Sequence, residues 1–365
     1  MCLYAMRIRA VGVNRVLATN PAETETVSLA DMAGLTSRVN TVTNQKIKEI
    51  QKITGRMRML ALNAMIESAR AGDSGAGFSI VAQEVRGVGG EVELVASALE
   101  QELVGQVSEL ERLMQIMTAQ ARGTRLVDLA LNAIEIMDRN LYERTCDVRW
   151  WATDSAAVAC VADPGNEAAR QYASERLGVI LGAYTVYLDI WLCDLNGRII
   201  ANGRPGTYNV VGKDASRESW FRDAMTLNSG DDYAVADVTA QQLLGNAMTA
   251  TYSAKICEGG RANGKPLGVI AVHFDWAPQA KAIVEGVRLS KEERARSRVL
   301  LVDADHRVIA SSDGQGLLQE KLALRAAGQS NGYYADKSAL VAFHATPGYE
   351  TYRGLGWYGV IVQKD

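Results

Sequence analysis

Proline is missing from the whole span between Pro21 and Pro164, and the 365 residues contain only six prolines, three histidines and five cysteines. The cysteines, Cys2, Cys146, Cys160, Cys193 and Cys257, are odd in number and lack CxxC spacing. That argues against a disulfide framework or a zinc site and fits a reducing compartment. No apolar run approaches the roughly 20 residues that a membrane helix needs. The opening MCLYAMRIRAVGVNRV is broken by Arg7, Arg9 and Arg15 before a signal-peptide core develops. These absences predict a soluble, cytoplasmic protein without a membrane span. Basic runs are lacking too: 39 Lys+Arg stand against 42 Asp+Glu, so no nucleic-acid partner is expected. Without a nucleophile elbow, an HExxH pair or a P-loop, neither an enzyme nor a cofactor is expected.

Proline inside a helix costs about 3 kcal/mol, so its long absence permits very long helices. The apolar pattern agrees. Met32, Leu35, Val39, Val42, Ile47, Ile50, Ile53, Met57 and Leu60 recur mostly every three or four residues, as do Val81, Val85, Val88, Val92, Val95, Leu99, Leu103, Val107, Leu110 and Leu113. Between the two stripes lies a glycine-rich break, Gly72-Asp73-Ser74-Gly75-Ala76-Gly77, whose glycines are expected to supply positive φ for a reversal. The arms can pair antiparallel over about 65 Å at 1.5 Å per residue. A hairpin that narrow cannot bury its own stripes, so a homodimeric four-helix bundle is predicted.

At the break the chain reads LALNAMIESARAGDSGAGFSIVAQEVR (60–86). This resembles the cytoplasmic tip of methyl-accepting chemotaxis proteins, and flanking periodicity extends the resemblance to about 29–114. It implies that Leu60, Leu62, Glu67 and Arg70 help join dimers into trimers. It also implies that Asn63, Phe78, Ile80 and Glu84 face a coupling protein and a chemotaxis histidine kinase. The chain departs from the family's usual text at Arg56, Met57, Arg58 and Ala76, and Gly87-Val88-Gly89-Gly90 replaces a helix-favouring stretch. Glu100 and Gln101 are read as solvated helix-face residues. An alternative is a scaffold whose hairpin oligomerises without controlling a kinase.

From Leu110 to about Trp151 no flexible linker intervenes, so the second arm is expected to continue as a coupling helix. Beyond Pro164 the pattern becomes a helix near 166–182 and short alternating strands at 184–194, 197–203, 232–238, 248–256 and 265–276, with a helix around 216–227. Leu195-Asn196-Gly197 and Ala262-Asn263-Gly264 are turn signals. A second, smaller set follows from residue 298. The Asp-Leu-Asn-Gly hairpin, the SRESWFRDAM segment and the closing Gly-Val-Ile-Ala-Val strand resemble double Cache sensor domains. The fold expected is therefore mixed: a long helical hairpin, a long helix and two PAS-like antiparallel-sheet modules. The domains divide as an N-terminal segment (1–28), the hairpin (29–114), the coupling helix (115–151), a ligand-binding module (152–290) and a second module (291–365).

Strand alternation puts Val269, Ala271, His273 and Asp275 on one face and Ile270, Val272, Phe274 and Trp276 on the other. By the same rule Tyr187, Asp189, Trp191 and Cys193 oppose Val186, Leu188, Ile190 and Leu192. The resemblance places a ligand between these strands and the Arg217-Trp220-Phe221 helix. Arg217 is then expected to clamp a carboxylate or oxo group, and Trp191, Trp220, Phe221 and Tyr233 to enclose a flat or aliphatic body. Asp237, His273 and Asp275 complete the set around an amino acid, amine or purine sensed inside the cell. If that pocket is misplaced, Asp303 and Tyr334 of the second module are next.

Overall fold

A computed structural model describes residues 29–364 and divides the chain into two compact units that meet in sequence between Ala119 and Gln120. The expectations for the opening segment, including its interrupting arginines, lie outside the described residues.

In the first unit, α1 (Leu29–Arg70) and the leading part of α2 (Ala76–Trp151) are joined by one 3-10 turn, Gly72–Gly75. Of the three glycines expected at positive φ only Gly72 is left-handed, at 56°. Gly75 serves close approach instead: a Cβ there would lie 2.2 Å from the Ser68 carbonyl oxygen.

The arms run antiparallel. Thr36 Oγ1 lies 3.9 Å from Met114 Sδ, Gln51 Nε2 donates to Glu100 at 3.2 Å, and Arg58 pairs with Glu93 at 2.6 Å. The seam between them is mostly small. Ile47, Thr54, Ala61 and Ser68 are buried at seven-residue spacing on α1, and Ala82, Gly89 and Ala96 at the same spacing on α2. Gly89, out of place in a helix by propensity, occupies a seam position where a Cβ would lie 3.9 Å from the Thr54 methyl, in ordinary contact. Apart from Ile47, Val107 and Met114, which are buried, the large apolar residues behave oppositely. Leu35, Ile53, Leu60, Val95, Leu99 and Leu113 are exposed, Ile53 at 57% and Val95 at 68%.

In the second unit α2 continues to Trp151, followed by α3 (Ser155–Ala162) and α4 (Glu167–Ala183). The first sheet consists of β1 (Tyr187–Asp194), β2 (Ile199–Asn202), β3 (Ala234–Gln241), β4 (Ala247–Cys257) and β5 (Pro266–Asp275). The helix α5 (Ser219–Thr226) lies on one face of it. Next come α6 (Trp276–Gly286) and α7 (Lys291–Ala295). The second sheet holds β6 (Ser297–Val302), β7 (Val308–Ser311), β8 (Asn331–Asp336), β9 (Ala339–Ala345) and β10 (Tyr358–Lys364). Both sheets are antiparallel with the same strand order, β2-β1-β5-β4-β3 and β7-β6-β10-β9-β8.

Three helices, α3, α6 and α7, were not expected from the sequence. In α6 Pro278 misleads: it sits in the first turn, where the missing N–H breaks no intrahelical bond. The α2 stripe Leu126, Ala130, Ile134, Met137, Leu141 and Val148 is buried in one core with Ile190 and Ile270 of the first sheet and Leu301 and Ile361 of the second. Buried polar groups anchor the same helix to both modules. Asp138 accepts from Thr346 Oγ1 at 2.6 Å and from the Gly348 N–H at 2.9 Å. Arg144 pairs with Asp147 at 3.3 Å and stacks 5.1 Å from the Tyr187 ring centroid.

Candidate functional site

The α5-covered face of the first sheet gathers buried polar and aromatic side chains. β4 alternates Thr249, Thr251 and Ser253 with Ala250, Tyr252 and Ala254, and the first three turn toward α5, where Ser253 Oγ donates to the Trp220 carbonyl at 2.7 Å. On β5, Val269 and Ala271 join the cluster under α5 while Ile270, Val272, Phe274 and Trp276 join the core with α2, as alternation requires. Cross-strand pairing sets Thr251 opposite His273 and Thr249 opposite Asp275.

Four expected residues meet here. Trp191 and Trp220 are fully buried with rings 6.1 Å apart, His273 lies 3.9 Å from Trp191 and 5.8 Å from Trp220, and Phe221 packs 6.0 Å from Trp220. Asp275 shares the face by alternation and is half-buried; burial pushes its carboxyl up. Arg217 is exposed, its charge beside Asp214, and no hydrogen bond or ion pair among the described residues joins it to Asp275. Tyr233 and Asp237 turn to the opposite face. Tyr233 packs against the core that contains α2, with Arg149 5.6 Å from its ring centroid. Asp237 faces Asp303, Arg307 and Trp357, and burial raises its carboxyl.

β1 departs from simple alternation. A register shift between Tyr187 and Asp189 sends Tyr187 to the α2 core with Ile190 and Leu192, and leaves Leu188 with Trp191 and Cys193 under α5. Asp189, completely buried, accepts from the N–H groups of Ile190 (2.9 Å), Gly203 (3.1 Å) and Arg204 (3.0 Å), from Trp191 Nε1 (3.0 Å) and from Asn202 Nδ2 (2.8 Å). Burial pushes this carboxyl up and the hydrogen bonds from Asn202, Ile190, Trp191 and Arg204 oppose that. Neither Asp189 nor the Thr249-Thr251-Ser253 row was among the expected site residues; an acid inside an apolar strand and a polar row alternating with apolar residues were the available signals. In the second module Asp303 is buried and bound by Arg307 Nε at 2.8 Å, and the Tyr334 hydroxyl accepts from the Arg325 N–H at 3.2 Å. A GxGxxG spacing at Gly354, Gly356 and Gly359 leads into β10 rather than from a strand into a helix, so it is not a dinucleotide fingerprint.

His273 makes acid stability a direct readout. Its Nδ1 hydrogen-bonds Thr251 Oγ1 at 3.0 Å, its Nε2 has no partner, and burial alone pushes the imidazole down to about 3 from 6.5. Between those values the unfolded chain binds a proton that the folded chain refuses, so stability rises with pH through the window. At pH 5 the site costs about 2 kcal/mol relative to pH 7.5. The unfolding free energy of the wild type from urea titrations should fall by that amount more than that of His273→Phe; equal acid sensitivity in the two proteins would remove His273 as the cause.

All eight expected contact residues at the hairpin tip are exposed: Leu60, Leu62, Asn63, Glu67, Arg70, Phe78, Ile80 and Glu84, with Phe78 at 74% and Leu60 and Ile80 at 68%. Glu67 and Arg70 form an exposed pair at 3.4 Å. A lone hairpin gains nothing by presenting such apolar side chains beside its turn; a binding surface does.

The sequence model of the methyl-accepting chemotaxis protein (MCP) signalling domain matches residues 15–148. The chain carries a chemoreceptor signalling domain. Over 131 residues it is 32% identical to methyl-accepting chemotaxis protein PctB of Pseudomonas aeruginosa, covering 33% of this chain and 21% of that one. Over 65 residues it is 45% identical to CtpL of the same organism, covering 17% and 9%. The chain thus matches about a fifth or less of the length of these relatives. The second unit has a Cache-like fold: the extracellular domain of a protein described as histidine kinase rpHK1S-Z16 aligns over 68% of this chain and 97% of its own, with 14% identity and a TM-score of 0.50. That finding overturns the expected cytoplasmic location, because the solved domain sharing the sensor fold is extracellular. Among the described residues no helix is long and apolar enough to cross a membrane.

Proposed function

We propose that this chemoreceptor-like transducer dimerises through residues 29–114, binds a small molecule in the module at 152–290, and acts through its hairpin tip on a histidine kinase and coupling protein. The observation that carries this is the exposure of all eight tip residues within a segment that matches the chemoreceptor signalling domain. Residues 115–151 are the coupling helix: α2 has no break between the turn and Trp151, and its last turns are locked by Asp138, Arg144 and Asp147. A stiff helix transmits a shift of about 1–2 Å that a flexible linker would absorb. The second module, 291–365, completes the support of that helix. Trimers of dimers would use Leu60, Leu62, Glu67 and Arg70.

Pull-down with purified chemotaxis histidine kinase and coupling protein is the test. Phe78→Ala, Ile80→Ala and Glu67→Ala should each lower kinase recovery about tenfold, the loss expected when an exposed anchor worth roughly 1.4 kcal/mol or more is truncated, with thermal stability unchanged. Recovery equal to wild type in all three would leave a hairpin that assembles without controlling a kinase.

A further inference from the structure

We propose that the α5-covered face of the first sheet binds a small amine or nitrogen heterocycle that carries no carboxylate; this rests on the sensor reading above. Thr249, Thr251, His273 and Asp275 form one patch, because β4 and β5 pair Thr249 with Asp275 and Thr251 with His273. Within and above that patch three completely or almost completely buried groups lack hydrogen-bond partners: Thr249 Oγ1, His273 Nε2 and Trp220 Nε1. Buried polar atoms are nearly always paired, so three orphans within one cluster point to a missing partner. Asp275 adds a carboxylate with no hydrogen bond among the described residues.

The sign of charge selects the ligand. Among the described residues no arginine or lysine side chain forms a hydrogen bond or ion pair with Thr249, Thr251, His273 or Asp275, and Lys255 lies farther along the same β4 row, opposite Val269. Arg204 donates to the carbonyls of Leu181, Tyr187 and Leu188, Lys255 donates to the Leu227 carbonyl, and Arg217 is exposed beside Asp214. A ligand carboxylate placed here would lose its water beside Asp275 with no cation to replace it. An ammonium or ring N–H suits Asp275 and Thr249, an acceptor on the same molecule takes the Trp220 N–H, and Trp191 and Trp220 supply flat walls. The way in is a cavity of about 490 Å³ between α5 and the end of β3, lined by Glu218, Trp220, Ala236 and Gln241 together with Lys213 and Asp214. Entry from that cavity to the buried patch would require displacement of the Trp220 indole, which lines it.

The test is a thermal-shift and calorimetric comparison on the full-length chain with matched pairs, L-histidine against histamine and L-leucine against 3-methylbutylamine, and with adenine as the heterocycle. At least one amine or adenine should raise the melting temperature by a few degrees while its matched amino acid does not. Thr249→Val and Asp275→Asn should each weaken that binding roughly tenfold or more. Thr249→Val should also raise the melting temperature of the unliganded protein, since an unpaired buried hydroxyl is replaced by a methyl of the same size. Shifts from the amino acids alone would overturn the ligand class and leave the sensor reading standing. No shift from any of the five compounds would count against both, and amine binding undiminished in both variants would overturn the location.

Discussion

Asp189→Ala lowers the melting temperature by about 10 °C, the largest stability loss expected from a single substitution in the sensor unit. The carboxylate is completely buried and holds five donors: three backbone N–H groups, the Trp191 indole and the Asn202 amide. Removing it strands those donors away from water at about 1–3 kcal/mol each before relaxation. Losing one side of a buried charge network typically costs 3–5 kcal/mol, and at roughly 2–4 °C per kcal/mol for a unit of this size that is about 10 °C. The loss has a structural location. Asp189 ties β1 to the start of the loop after β2, and Arg204, whose N–H it accepts, in turn caps the carbonyls of Leu181, Tyr187 and Leu188. Asp189→Asn, keeping the shape but offering only one acceptor oxygen, should fall between the two. A shift below about 2 °C for Asp189→Ala would mean that water takes over the donors and that the network is not structural.

The double variant Ile53→Glu/Val95→Glu should run as a monomer at micromolar concentration, and the parent chain as the proposed dimer. Within one chain the arms meet through Thr54, Ala61, Ser68, Ala82 and Ala96, and Ile53 and Val95 are left 57% and 68% exposed. Such side chains gain about 2 kcal/mol each when covered. Two sites in each of two protomers then account for about 8 kcal/mol, or between five and six decades of dissociation constant. The small seam explains why the loss falls on association and not on the hairpin, which buries neither residue. Light scattering and sedimentation read the outcome, and a variant that remains dimeric would place the dimer contact elsewhere on the chain.

Much of this fold was legible because its signals are local. A helix announces itself by a period near 3.6 and by the absence of proline, both read from neighbours a few residues apart, and so α1 and the continuous α2 were expected nearly to their ends. The turn was legible as a glycine cluster but not in its mechanics: whether a glycine serves φ or close approach depends on what lies opposite, and for Gly75 that is Ser68, across the turn. Alternation correctly divided β5. It misassigned Tyr187 on β1, because a single bulge exchanges the faces and nothing in the local pattern reports it.

The site was legible in part for the same reason. Trp191, Trp220, Phe221 and His273 could be brought together from strand and helix faces alone. Arg217 and Asp237 could not be placed, since a charged residue's surroundings are set by elements distant in sequence: Arg217 remains beside Asp214 at the surface, and Asp237 turns toward Asp303 and Arg307 of the other module.

The sequence by itself determined two long helices around a glycine turn and two sets of alternating strands, which follow from short-range periodicity and steric rules, and a turn segment whose residues resemble the chemoreceptor tip. Only the tertiary structure decided that the hairpin's own seam is made mostly of its small residues while most of its large ones remain outside. It alone decided that Asp189 is a five-donor structural centre, and that Thr249, His273 and Asp275 meet under α5 with unpaired polar atoms and, among the described residues, no cation bonded to them. Those outcomes depend on which surfaces meet, and residues far apart in the chain carry no local mark of the partner that will bury them.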